Sequence, residues 1–273
     1  MAHQLLSTGV TLHMVDVGYG TPIVFVHGAM VSGRFFERQI PYFSQWYRVL
    51  IPDLRGHGQS DKILQGYTVA NYARDLKALF EARQIEHPVL VGWSMGAMVA
   101  YEYLKQFGQE QVAGLVIVDQ SPSDFAWEGY EFGLLTLQDL GEMVETLQTD
   151  QRTIAEHFAG LMQHSPSPDT TTWMVEEIMR VPAAIATSIL VNQTLQDYRP
   201  FLEEIHLPTL LLFGRDNKVV PPEAGEDIAR RIPGAQLQIF EQSGHCPFYE
   251  EADAFNERLH IFLDQIKDAS AKR

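Results

Sequence analysis

Cysteine is nearly absent: the chain carries one, Cys246. A lone thiol closes no intrachain disulfide and builds no thiolate zinc site, so the core must hold the fold. Cys246 follows a histidine, yet nothing around it favours a thiolate, and it reads as a packing residue. The ten histidines show no His-x-x-x-His spacing. No metal is expected on that ground, and no other cofactor motif is present.

Basic residues are scarce as well. Lys and Arg number 20 against 35 Asp and Glu, a net charge of −15 with histidine neutral. Nucleic acids and anionic membrane surfaces both demand a basic patch, so neither is an expected partner. No apolar run is long enough to span a bilayer, and the N-terminus lacks the basic-then-apolar order of a secretory signal. A cytoplasmic location is therefore expected.

What is present is an ordinary globular balance, 45% hydrophobic and 20% charged over 273 residues. That length suits one large α/β domain with room for an inserted subdomain. Short apolar runs at 22–26, 47–52, 89–93, 112–118, 207–213 and 235–240 predict strands, several of them buried on both faces. Two earlier strands are expected at 4–8 and 10–17, joined by a turn at Thr8-Gly9. Helical patterns lie at 33–45 (broken near Pro41), 68–83, after residue 96 up to Gly108, 221–231 and 250–266. From 123 to 200 no strand pattern occurs, only helical stretches rich in Phe, Trp, Met and Leu. This divides the chain into a core of residues 1–122 and 201–273 and a helical lid of residues 123–200.

One stretch carries the chemistry. Gly92-Trp93-Ser94-Met95-Gly96 joins a predicted buried strand to a predicted helix, and its glycines remove the Cβ atoms that would collide in so sharp a turn. A nucleophile elbow of this kind lifts a serine oxygen out at the carboxyl edge of a sheet. A serine hydroxyl needs an imidazole to take its proton, and that imidazole needs a carboxylate to hold its tautomer. Both groups follow the serine, each in a loop after a predicted strand: Asp216 and His245. The order Ser94, Asp216, His245 is that of one hydrolase class. Asp119 also ends a strand and is the alternative acid. His27, in the loop after 22–26, is expected to hold that loop by hydrogen bonds, and Gly56-His57-Gly58 to mark a rigid turn.

With these residues in place the chain resembles α/β-hydrolase-fold proteins of the single-domain esterase, lactonase and cofactor-free haloperoxidase group. The resemblance rests on His27-Gly28, Asp53-Leu54-Arg55-Gly56-His57-Gly58-Gln59-Ser60, the elbow, Gly214-Arg215-Asp216 and Ser243-Gly244-His245, and it covers nearly the whole chain. It implies an eight-stranded, mostly parallel sheet flanked by helices, with a helical lid after the sixth strand. It also implies an oxyanion hole from the amides of Ala29 and Met95. Serine at the elbow separates the chain from epoxide hydrolases and haloalkane dehalogenases, which place aspartate there. The short loop after His27 separates it from carbon–carbon bond hydrolases.

The expected activity is cleavage of small, largely apolar carboxylic esters, with lactones as further candidates, through an acyl-enzyme. The alternatives are a lactonase or perhydrolase of the same fold, or a slow-turnover small-molecule receptor. Met30, Trp127, Phe132, Trp173 and Met174 are the candidate substrate contacts.

Overall fold

Strands that are apolar at every position must be covered on both faces, and this requirement places them at the middle of the sheet. In the computed structural model, which describes residues 2–271, eight strands form one sheet in the order β1-β2-β4-β3-β5-β6-β7-β8. They are β1 (Ala2–Leu5), β2 (Thr11–Val17), β3 (Pro22–Val26), β4 (Arg48–Pro52), β5 (Val89–Trp93), β6 (Gly114–Val118), β7 (Thr209–Gly214) and β8 (Gln236–Phe240). Every residue of β5, β6 and β7 is buried. Strands β3 to β8 run parallel, while β1 and β2 pair antiparallel at one edge.

The first strand lies at Ala2–Leu5 rather than at 4–8. The Leu6 amide donates to the Val10 carbonyl at 2.9 Å and the Gly9 amide to the Leu6 carbonyl at 3.0 Å. The turn closes at Leu6, so the strand has to stop before it.

The helices are α1 (Ile40–Phe43), α2 (Val69–Arg83), α3 (Met95–Phe107), α4 (Leu137–Thr149), α5 (Gln151–Leu161), α6 (Pro168–Met179), α7 (Ala183–Thr194), α8 (Pro222–Arg231), α9 (Pro247–Glu250) and α10 (Ala252–Ala271). Their ends follow side-chain chemistry. Thr68 caps α2 by accepting from the Asn71 amide, and Thr136 and Ser167 close capping boxes at α4 and α6. None of the described helices is long and apolar enough to cross a membrane.

Helices α4 to α7 form the insertion between β6 and β7. Trp173 of α6 packs on Phe35 with ring centroids 4.7 Å apart, and the Arg34 guanidinium lies over the same indole. Nearby, buried Glu177 accepts from the Ser32 hydroxyl at 2.6 Å and from Arg34 at 3.3 Å. The insertion is thus tied to the loop that follows β3.

The order β4-β3-β5 means that the chain leaves β3 to one side and returns on the other. In an open α/β sheet, ligands bind at such a reversal, outside the carboxyl ends of the strands. Here those ends carry His27 to Met30 and Ser94.

Candidate active site

The elbow is dictated by crowding. A Cβ on Gly96 would lie 2.0 Å from the Val26 carbonyl oxygen, and one on Gly92 would lie 2.5 Å from the Gly96 carbonyl oxygen. Only glycine lets α3 leave β5 this close to β3. Between them Ser94 is held at φ 53° and ψ −127°, a conformation a residue with a side chain rarely adopts. Such strain costs about 1–3 kcal/mol and persists where the surroundings over-determine it. The Ser94 amide donates to the Val118 carbonyl at 3.0 Å, which pins the turn to the next strand.

The loop after β3 is fixed by His27. Its Nδ1 lies 2.8 Å from the Gly28 carbonyl oxygen, and its Nε2 accepts from the Leu54 amide at 3.0 Å. Both ring nitrogens are occupied in holding backbone. The 53–61 loop beside it is organised by Asp53, which accepts from the Gly33 and Gln59 amides at 2.8 and 2.9 Å. The amides of Ala29 and Met95 find no acceptor among the described residues.

His245 follows β8, and its backbone is gripped from two sides. Its amide donates to the Met162 carbonyl at 3.0 Å, and its carbonyl accepts from the Trp93 indole at 2.8 Å. The ring is buried, which pushes its pKa down to about 3. The imidazole is therefore neutral at neutral pH, as a general base must be.

The structure does not bring Asp216 to His245. The Asp216 carboxylate is about half exposed (47%), 3.1 Å from His164 Nδ1 and 3.8 Å from the Lys218 ammonium. The group beside His245 Nδ1 is the neighbouring Asn217, whose Nδ2 lies 3.2 Å away. Its amide orientation is fixed, because Oδ1 accepts from the Val219 and Val220 amides at 2.8 and 3.0 Å. Nδ2 then donates to Asp119 Oδ1 at 2.8 Å. Asp119 is fully buried, accepts also from the Gly214 amide, and leaves Oδ2 without a hydrogen-bond partner among the described residues. Burial raises its pKa, while the hydrogen bonds from the Gly214 amide and Asn217 oppose that rise and favour the carboxylate. The correction is a matter of one residue: past Gly214 the side chain at 216 faces water and the one at 217 turns inward.

Ser94 and His245 line one cavity of about 300 Å³. Its walls are mainly apolar, with Leu134, Met143, Ile154, Phe158 and Leu161 from the insertion. Met30, one of the five candidate contacts, lines it. The other four candidate contacts lie elsewhere. Trp127 packs edge-on against Phe125 and donates to the Ser123 hydroxyl. Phe132 packs against Tyr130, Trp173 packs on Phe35 and Tyr249, and Met174 is fully buried. Their size serves to fasten the insertion to itself and to the core. Cys246 is buried, and burial pushes its thiol up, away from nucleophilic thiolate. Gln120, Asp124 and Gln193 also line the cavity. Position just after β6 is the available signal for Gln120, and Asp124 lies at the start of the insertion. Nothing in a helical pattern marks Gln193.

The depressed pKa of His245 has a measurable consequence. A base is lost only as pH falls through its folded pKa, so kcat/KM should hold from neutral pH down to about pH 5. Its acid limb should centre below the ordinary imidazole value of 6.5. A midpoint at or above that value would show that the ring is not held in this apolar setting.

Known proteins resemble nearly the whole chain. A family model described as the alpha/beta hydrolase fold matches residues 21–252. The AB hydrolase superfamily protein YisY of Bacillus subtilis is 31% identical over 258 residues, 93% of this chain and 95% of that protein. The pimeloyl-(acyl-carrier protein) methyl ester esterase of Vibrio atlanticus is 30% identical over 269 residues, 93% of this chain and 99% of that protein. Among solved structures, an esterase from Exiguobacterium antarcticum superposes with a TM-score of 0.91 at 26% identity, covering 97% of this chain and 98% of that one.

Proposed function

The chain belongs to the alpha/beta hydrolase fold family, and from that premise we propose that it is a serine hydrolase cleaving carboxylic esters of small, largely apolar acyl chains. The observation that carries this reading is that Ser94, on a strained elbow, and neutral His245 line one mainly apolar cavity. Relatives named as esterases support the ester as the bond that is cut.

The steps follow from the groups present. Ser94 Oγ attacks the ester carbonyl while His245 Nε2 takes its proton. The carbonyl oxygen gathers negative charge, and in this reading the free amides of Ala29 and Met95, the latter at the start of α3, stabilise it. Collapse of the tetrahedral adduct expels the alcohol, which receives the proton from His245 and leaves Ser94 acylated. Water, deprotonated by the same imidazole, then releases the acid and restores the serine.

For Nε2 to accept, Nδ1 must carry the proton. In the resting geometry Nδ1 faces an N–H of Asn217 instead. Asp119 Oδ2, buried and unpartnered on the far side of the same amide, is the acceptor that a shifted Nδ1–H would satisfy. Hydrogen bonds of a resting catalytic site are often misaligned and tighten when substrate binds. Asp119 is thus the proposed acid, with Asn217 positioning it.

The insertion is proposed as a lid that sets acyl length. Phe158→Ala should enlarge the cavity and raise the kcat/KM ratio of eight- to four-carbon esters several-fold, since each buried methylene is worth about 0.8 kcal/mol, roughly fourfold. Trp127→Ala, away from the cavity, should leave that ratio within about twofold. Equal responses from both would remove the insertion from the substrate site. The activity itself is tested by continuous turnover of p-nitrophenyl esters. Many cycles per protein support the enzyme, and a single cycle supports a receptor.

A further inference from the structure

The cavity is not apolar throughout. Asp124 sits in its wall, fully buried, with Gln120 on one carboxylate oxygen and Gln193 on the other, each Nε2 at 2.6 Å. Gln120 uses its second N–H on the Ser121 carbonyl at 2.9 Å. A carboxylate has about four lone-pair sites, so two remain open. Gln193 must turn its N–H toward Asp124, and its Oε1 is left buried without a hydrogen-bond partner among the described residues. Removing polar groups from water without partners is costly, and a cavity meant only for an alkyl chain would not contain them.

Gln120 spends both N–H groups and Gln193 spends one, so what is left over is mainly acceptors, Gln193 Oε1 and the free lone pairs of Asp124, beside the second N–H of Gln193. We propose that this wall is a specificity site for a hydrogen-bond donor on the acyl chain of the substrate, a hydroxyl or an amide N–H. The same acceptors and the charge of Asp124 disfavour an acyl chain that ends in a carboxylate. Burial raises the Asp124 pKa to about 6, the two glutamine hydrogen bonds opposing that rise. It is therefore mostly ionised and accepting at neutral pH. Lys218, the one Lys or Arg among the described residues bordering the cavity, does not reverse this preference. Lys218 is half-exposed with its ammonium 3.8 Å from Asp216, which leaves Asp124 as the buried charge. This inference rests on the ester-cleaving reading of Ser94 and deepens it by naming a substrate class.

The test is a panel of acyl esters of equal chain length: unsubstituted, hydroxylated at successive carbons, carrying a chain amide, and ending in carboxylate. Matching methyl ketones, which cannot be hydrolysed, are read by calorimetry. At one chain position the hydroxyl or amide compound should be preferred about tenfold or more in kcat/KM over its unsubstituted partner, because a site built for a donor rejects the analogue lacking it. Which of the two wins distinguishes hydroxyl from amide. The carboxylate ester should be poorer than the unsubstituted one. Gln193→Met should bring the preference to within about twofold. If that variant does not fold, the wild-type panel decides alone. Ester turnover with no donor preference at any position overturns the specificity site and leaves the esterase standing. Tighter binding of a hydroxylated ketone with no ester turned over sustains the site and overturns the esterase.

Discussion

Replacing Ser94 with alanine should lower kcat for ester hydrolysis on the order of 10⁶-fold, the size seen when the nucleophile of a serine hydrolase is removed. Stability should hardly change, because the Ser94 side chain makes no capping hydrogen bond to α3. Alanine keeps the Cβ and the same backbone strain, so melting temperature is the control for folding. A fluorophosphonate should add its mass to Ser94 in the wild type and to no residue in the variant. Labelling of Cys246, or retention of more than about 1% of wild-type kcat, would remove Ser94 from the chemistry.

The next largest effect is expected at Asp119. Asp119→Asn should cost about 10⁴ in kcat, because without its carboxylate the imidazole is held in the wrong tautomer. Asp216→Asn should cost less than about threefold, since that carboxylate faces water beside His164. The exchange Asp119→Asn with Asn217→Asp keeps one carboxylate and one amide and moves the charge next to His245 Nδ1. It should recover at least about tenfold over Asp119→Asn alone, since the two sites share one hydrogen bond and their effects cannot be additive. Melting temperatures separate loss of chemistry from loss of fold. A larger loss from Asp216→Asn than from Asp119→Asn would restore Asp216 as the acid.

The elbow is legible in the sequence because three independent signals coincide there: a buried strand, two glycines and a helix start. Sheet content is legible for the same reason, since continuous apolar runs have few other places to go. The acid is less so. Asp216 and Asn217 are adjacent, and which of them turns inward depends on how β7 ends against the Asp216 amide, which donates to the Ser243 carbonyl at 3.0 Å. That is a tertiary contact with no local signature. The walls of the cavity were hidden in a similar way. Large aromatic residues in the insertion were natural candidates for contact with substrate, yet Trp173 lies against Phe35 and Arg34. Smaller residues of α5 and its neighbours face the cavity instead, because helical periodicity reports an apolar face without saying what it meets.

The hydrogen bond from the His245 amide to the Met162 carbonyl bears on how such enzymes can be recombined. Residue 162 belongs to the insertion, and residue 245 belongs to the loop after β8. Close by, Glu250 accepts from the backbone amides of both His164 and Gly244. The imidazole is therefore aimed partly by the segment that also lines the cavity. A chimera that exchanges 123–200 wholesale for the insertion of a relative exchanges part of the alignment of the imidazole with it. A graft that retains 162–164 and replaces the rest keeps the two properties apart, so acyl preference can change while the proton transfer is left in register.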